Sequence, residues 1–97
     1  MGAYLGQITR ITRNDGYVPE MREYKLNGKK QVEEWLNNIT AQLQGYPDKH
    51  GITWNNRGDF EQRNSIWEND GSYWSVWDFA RNGSDWFEII IVRAIKL

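Results

Sequence analysis

Between Lys29 and Gln44 the apolar residues fall at Val32, Trp35, Leu36, Ile39 and Leu43. That spacing of i, i+3, i+4, i+7 and i+11 draws one stripe along a helix and leaves Glu, Gln and Asn on the other positions. Asn27-Gly28 breaks the chain before the stripe, Gly45 suits the position just past its end, and Pro47 prevents resumption, so a helix is predicted from about 29 to 44.

On either side of this helix the pattern turns to strands. Residues 3–13 (AYLGQITRITR) are rich in β-branched and aromatic residues, 14-NDGYVPE-20 is turn chemistry, and a second run follows near 21-MREYKL-26. Together they read as an N-terminal hairpin over 3–26 with a long loop. Downstream, runs near 59–67, 72–81 and 84–96 are separated by Asn69-Asp70-Gly71 and by Asn82-Gly83, which makes a β-meander over 59–96. The segment 46-YPDKHGITWNNRG-58 between helix and meander is polar, an irregular connection pinned by Ile52 and Trp54. The order is ββαβββ: an α+β chain of 97 residues forming a single small domain, with an antiparallel sheet and one helix packed on one face.

Turn lengths extend this reading to the two sheet faces. A two-residue Asn82-Gly83 turn sets Phe79 against Trp86, Trp77 against Glu88, Val76 against Ile89 and Trp74 against Ile91. A two-residue Asp70-Gly71 turn places Trp67 beside Trp74, and Phe60 and Ile66 on the opposite face. The face with Trp74, Val76, Ile89 and Ile91 is the more aliphatic and is expected under the helix. The other face then carries Phe60, Trp77, Phe79 and Trp86 with Glu88, and it is either an exposed recognition surface or a second small core roofed by the N-terminal hairpin.

Composition narrows the classes of function. Hydrophobic residues make up 39%, charged residues 26% and aromatics 14%, including six Trp, which is enough to fold and rules against disorder. With no cysteine there is no disulfide framework, thiol nucleophile or Cys-based zinc site, and a cytoplasmic location is expected. The first residues lack an apolar signal region, the longest apolar run is 89-IIIV-92, and Gly6 stands where a myristoylation motif requires Ser or Thr, so no membrane association is expected. The net charge of -1 conceals an asymmetry: residues 1–57 hold eight Lys/Arg against six Asp/Glu, whereas 58–88 hold two against seven.

Motifs that carry chemistry are scarce. His50 alone cannot build a zinc site, and none of Ser65, Ser72, Ser75 and Ser84 stands in a nucleophile elbow. The loop 68-ENDGS-72 resembles a calcium loop, but aligning Gly71 with the invariant glycine puts Ile66 and Trp77 where carboxylates are required. Sequons at Asn38 and Asn82 and an Arg57-Gly58-Asp59 tripeptide are short patterns that recur by chance. Neither catalytic residues nor a metal or other cofactor is expected.

The reading that follows is a non-catalytic protein-binding module, a small inhibitor or adaptor. Its expected contact residues are Phe60, Trp77, Phe79, Trp86 and Glu88, with an acidic rim at Glu68, Asp70 and Asp85. The size suits a phage or mobile-element product, and the acidic half suggests imitation of nucleic acid toward a nucleic-acid-handling or defence protein. Two alternatives stand beside it. Arg10, Arg13, Arg22, Lys25, Lys29 and Lys30 offer a basic patch for direct nucleic-acid binding, and the tryptophans offer a platform for carbohydrate.

Overall fold

The sheet is built around its two terminal strands. β1 (Ala3–Thr12) pairs on one side with β2 (Glu20–Asn27) and on the other with β5 (Trp86–Lys96), which continues through β4 (Tyr73–Ala80) to β3 (Glu61–Trp67). The order is therefore β2-β1-β5-β4-β3, antiparallel throughout. One helix, α1 (Lys29–Leu43), completes the ββαβββ chain order. These elements belong to a computed structural model that describes residues 2–12, 16–44, 60–80 and 86–97, the side chains of 79, 80, 86 and 87 excepted. The expected connection over 46–58 and the Asn82-Gly83 turn lie outside the described residues. The N-terminal hairpin extends the sheet in its own plane and roofs neither face.

Which face the helix covers is decided at Gly28. Leu26, near the end of β2, points to one side of the sheet and is buried there, and after Asn27 ends the strand the single residue Gly28 leads into the helix. Gly28 holds φ 86°, a left-handed conformation that glycine adopts without steric cost, and its N–H donates to the Gly2 carbonyl at 2.8 Å. Gln31, in the first turn, accepts from the backbone N–H of Asn27 at 2.6 Å. So short a connection lays α1 on the side Leu26 already faces.

That side holds the core. Val32, Trp35, Ile39 and Leu43 of the helix pack with Tyr4, Ile8, Leu26, Ile90, Val92, Ala94, Trp77 and Phe60. Leu36, from the same stripe, lies only partly buried at its edge. The centre of the contact is Trp35, whose ring occupies the space that a side chain at position 6 would need: a Cβ on Gly6 would stand 2.8 Å from two of its ring carbons. Tyr24 closes on the same ring, with centroids 5.6 Å apart.

The helix consequently lies on the face opposite to the expected one. The division of β4 and β5 into two faces is as the alternation gives it, since Val76 pairs with Ile91 and Trp74 with Arg93, two residues further along β5 than a two-residue turn allows. A shift of two preserves every side chain's face. Trp77 is 2% exposed and covered by the helix, while Trp74, Val76, Ile89 and Ile91 are half-buried on the side without one. Aliphatic content misleads because a tryptophan can be buried once its N–H is satisfied, and Trp77 donates Nε1–H to Ser75 Oγ, two residues back, at 3.1 Å.

At β3 the register differs by one, and the faces exchange. Glu68 N–H donates to the Ser72 carbonyl at 2.7 Å and Gly71 N–H to the Glu68 carbonyl at 3.0 Å, closing a loop of three residues, with Gly71 at φ 92°. Trp67 therefore pairs with Tyr73, and Ile66 with Trp74, so Trp67 is not beside Trp74. Among the described residues, no helix is long and apolar enough to cross a membrane.

A Gly6→Ala substitution should lower stability by about 1–3 kcal/mol, because Trp35 has to lift from the sheet to admit one methyl group. A shift of the urea midpoint with an unchanged slope is the measurement.

Candidate functional site

Burial removes part of the expected recognition surface. Phe60 is 6% exposed within the core, its N–H donating to the Leu43 carbonyl at 3.0 Å, and Trp77 lies under the helix. Glu88, 1% exposed, accepts from Arg10 Nε at 3.0 Å, an ion pair on the helix side of the sheet in which Arg10 stays partly exposed. These three hold the fold together and offer no surface to a partner. The side chains of Phe79 and Trp86, and the whole of Asp85, lie outside the described residues, as does His50.

Glu68 and Asp70 have a different setting. Both are exposed in the β3–β4 turn, at the end of the sheet where β5 finishes and the helix begins. The turn is held from several directions. Asp70 Oδ1 accepts from Ser72 N–H at 2.8 Å, an Asx turn that fixes the carboxylate against its own backbone. Ser72 Oγ in turn accepts from Lys96 N–H at 3.0 Å, fastening the turn to the end of β5. On the open face Trp74 donates Nε1–H to Glu68 Oε1 at 3.0 Å.

Two aromatics stand out beside these acids. Trp67, which ends β3, is 43% exposed and stacks obliquely on Tyr73 at 5.0 Å between centroids. Lys29 Nζ lies 5.1 Å from the Trp67 ring centre, a cation over a π face at the first residue of the helix. That contact offsets in part the repulsion of a lysine by the helix's positive end, whose first turn contains no acid. Next to Trp67, Ile66 is 39% exposed on the other face.

Between turn and strands runs an open groove of about 410 Å³, lined by Glu68, Asn69, Asp70, Ser72, Tyr73, Trp74, Arg93 and Ile95. Its walls are acidic at the turn and basic at Arg93, with the Trp74 ring forming the apolar part. Sequence reasoning identified the two acids but missed Trp67, whose face depends on the three-residue turn that reads as a two-residue turn from Asp70-Gly71 alone, and missed Trp74 and Arg93, whose face of β4 and β5 was expected under the helix. The left-handed Gly71 is the only signal for the three-residue turn, and Gly also suits the shorter turn.

Further along β3, Arg63 bridges Asp78 at 2.7 Å and Glu61 at 3.2 Å, and the hydrogen bond and charge of Asp78, followed by the charge of Glu61, push the guanidinium pKa above its ordinary value. Arg63 sits at the irregularity between Gln62 and Asn64, where the edge strand is kinked. The basic residues of the N-terminal half do not gather: Arg22 and Lys25 occupy opposite faces of β2, and Arg10 is engaged by Glu88 and by Glu20 at 3.6 Å. Arg13 lies outside the described residues. Among the described residues, no group of three or more His, Asp or Glu is placed to hold a metal ion.

Set against known proteins, the chain matches no family model, no curated protein and no solved structure.

The two tryptophans of β4 should separate cleanly. Trp77→Ala is expected to cost about 3–5 kcal/mol as a buried ring, and Trp74→Ala, half-buried and held by one surface hydrogen bond, no more than about 1 kcal/mol. Urea unfolding of both variants measures the difference.

Proposed function

We propose that the chain is a non-catalytic protein-binding module, an inhibitor or adaptor, which engages its partner at the β3–β4 end of the sheet. The observation that carries the reading is the exposed Trp67 at the end of β3 together with the fixed carboxylates of Glu68 and Asp70 in the turn that follows it, at the edge of the Trp74 groove. An exposed tryptophan supplies large contact area for few rotatable bonds, which is why Trp anchors dominate interface energetics. The surrounding acids select by charge. A rim of this sign favours a partner with a basic border around an apolar pocket. Proteins that handle nucleic acid carry such basic surfaces, and a cytoplasmic setting accords with a chain that uses no cysteine.

The turn is suited to recognition by its rigidity. Because Asp70 and Ser72 are already fastened to the backbone, little side-chain freedom is lost on contact, and affinity suffers less from ordering.

Capture from a cell lysate with the intact chain, a Trp67→Ala variant and a Glu68→Lys, Asp70→Lys double variant tests the reading. The expected outcome is a protein retained by the intact chain, weakened by about 2 kcal/mol or more when Trp67 is truncated, and lost in the charge-reversed variant. Its binding should also weaken between low and moderate salt, where exposed charges are screened beyond about 8–10 Å. Equal retention by all three, or retention that a nuclease abolishes, would contradict it.

A further inference from the structure

The face without a helix is unusual for an antiparallel sheet turned to solvent, where polar residues ordinarily alternate outward. Its central row runs Met21, Thr9, Ile91, Val76, Asn64 across all five strands, and the adjoining rows add Ile11 and Ile89 on one side and Trp74 and Ile66 on the other. Among the described residues, no element lies over them. We infer that this face pairs with the same face of a second copy of the chain, giving a two-sheet sandwich with the helices outermost.

Three observations select a second copy over a different protein. The first is the charge on the face, which is balanced in sign: Lys25, Arg63 and Arg93 stand with or beside Glu23, Glu61 and Asp78. A surface meant for a strongly charged partner would carry one sign, whereas a balanced one complements itself.

The second is the placement of two of those charges. Arg93 lies two residues beyond Ile91 on β5, and Asp78 is paired with Ile89, two residues before it. A two-fold axis between the sheets, through Ile91 and roughly across the strands, exchanges these ends and carries each copy's Arg93 toward the other's Asp78. Sheets packed with their strands about 30° apart lie within this geometry. Among the described residues Arg93 makes no ion pair, and the Asp78 side chain, bonded to Arg63 through Oδ2, is 19% exposed.

The third is area. Five strands about 4.8 Å apart and about eight residues long give a face on the order of 600 Å², the lower end of what each partner buries in a specific interface. A closed two-fold pair also removes the apolar surface completely, with nothing left to propagate.

Trp74 and Arg93 border both this face and the groove beside the β3–β4 turn, but the variants that test the two proposals do not overlap, Trp67, Glu68 and Asp70 serving one and Ile91 and Arg93 the other. Sedimentation velocity on the intact chain, Ile91→Lys and Arg93→Glu is the experiment, run up to about 100 µM, where a dissociation constant near 10 µM is well populated. The intact chain should sediment at twice the monomer mass. Ile91→Lys, at the axis, should be monomeric with the helix signal in circular dichroism unchanged, and Arg93→Glu should raise the dissociation constant at least tenfold. Because the Arg93 side chain is exposed, that variant decides the matter if Ile91→Lys fails to fold. An intact chain that stays monomeric throughout, a dimer indifferent to the Arg93→Glu substitution, or a monomer that uses Ile91 to hold a different protein would each overturn the inference.

Discussion

The fold depends on the contact between Trp35 and Gly6. A strand interior that carries no side chain at one position lets an indole lie directly on the backbone, and the rest of the core is arranged around that seat. Tyr24 and Leu26 border it from β2, Ile8 and Ala94 continue the floor, and Val32, Ile39 and Leu43 set the helix along the direction from which Trp35 descends. Glycine weakens a strand by its own conformational freedom, and the burial of a tryptophan and its neighbours offsets that loss. Once the ring is seated, one sheet face is closed, and among the described residues no element covers the other.

The polar groups beneath the helix follow from the same closure. Arg10 and Glu88 meet on the helix side of the sheet beside the buried Thr12, and Ser75, further along β4, serves the indole N–H of Trp77. Removing Arg10 takes from the buried Glu88 a guanidinium from which it accepts, a loss of the kind that costs about 3–5 kcal/mol where both charges are fully buried. Glu88, one of the acids expected on the recognition surface, is thus committed to internal order. Charges that remain available stand at the turn and on the uncovered face.

How much of this was legible in the chain varies with the physics involved. Element order and extents follow from period and turn chemistry: the helix predicted over 29–44 is Lys29–Leu43, and the last strand predicted over 84–96 is Trp86–Lys96. Alternation also divides β4 and β5 into the right two faces. Choosing between those faces was beyond it, because hydrophobic content nearly balances and the deciding features are a glycine in β1 and the one-residue connection Gly28 between β2 and the helix, neither of which carries an apolar signal. At β3 the failure is one of counting. Two residues or three in the loop differ only by the conformation of Gly71, yet the difference moves Trp67 and Ile66 to opposite faces. Sites built from side chains on both sides of such a turn are invisible until its register is known.

The orientation of the sheet under the helix is therefore the central claim, and the absence of native cysteine allows it to be measured residue by residue. Single cysteines placed at Ser75 and Val76 on β4, and at Ile91 and Val92 on β5, can be followed by the rate of thiol modification in native buffer, at dilution sufficient to keep the chain monomeric. The expected pattern is alternation: Val76→Cys and Ile91→Cys react promptly, while Ser75→Cys and Val92→Cys react only as fast as the helix lifts or the chain unfolds. Prompt reaction at positions 75 and 92 with protection at 76 and 91 would place the helix on the other face and contradict the claim.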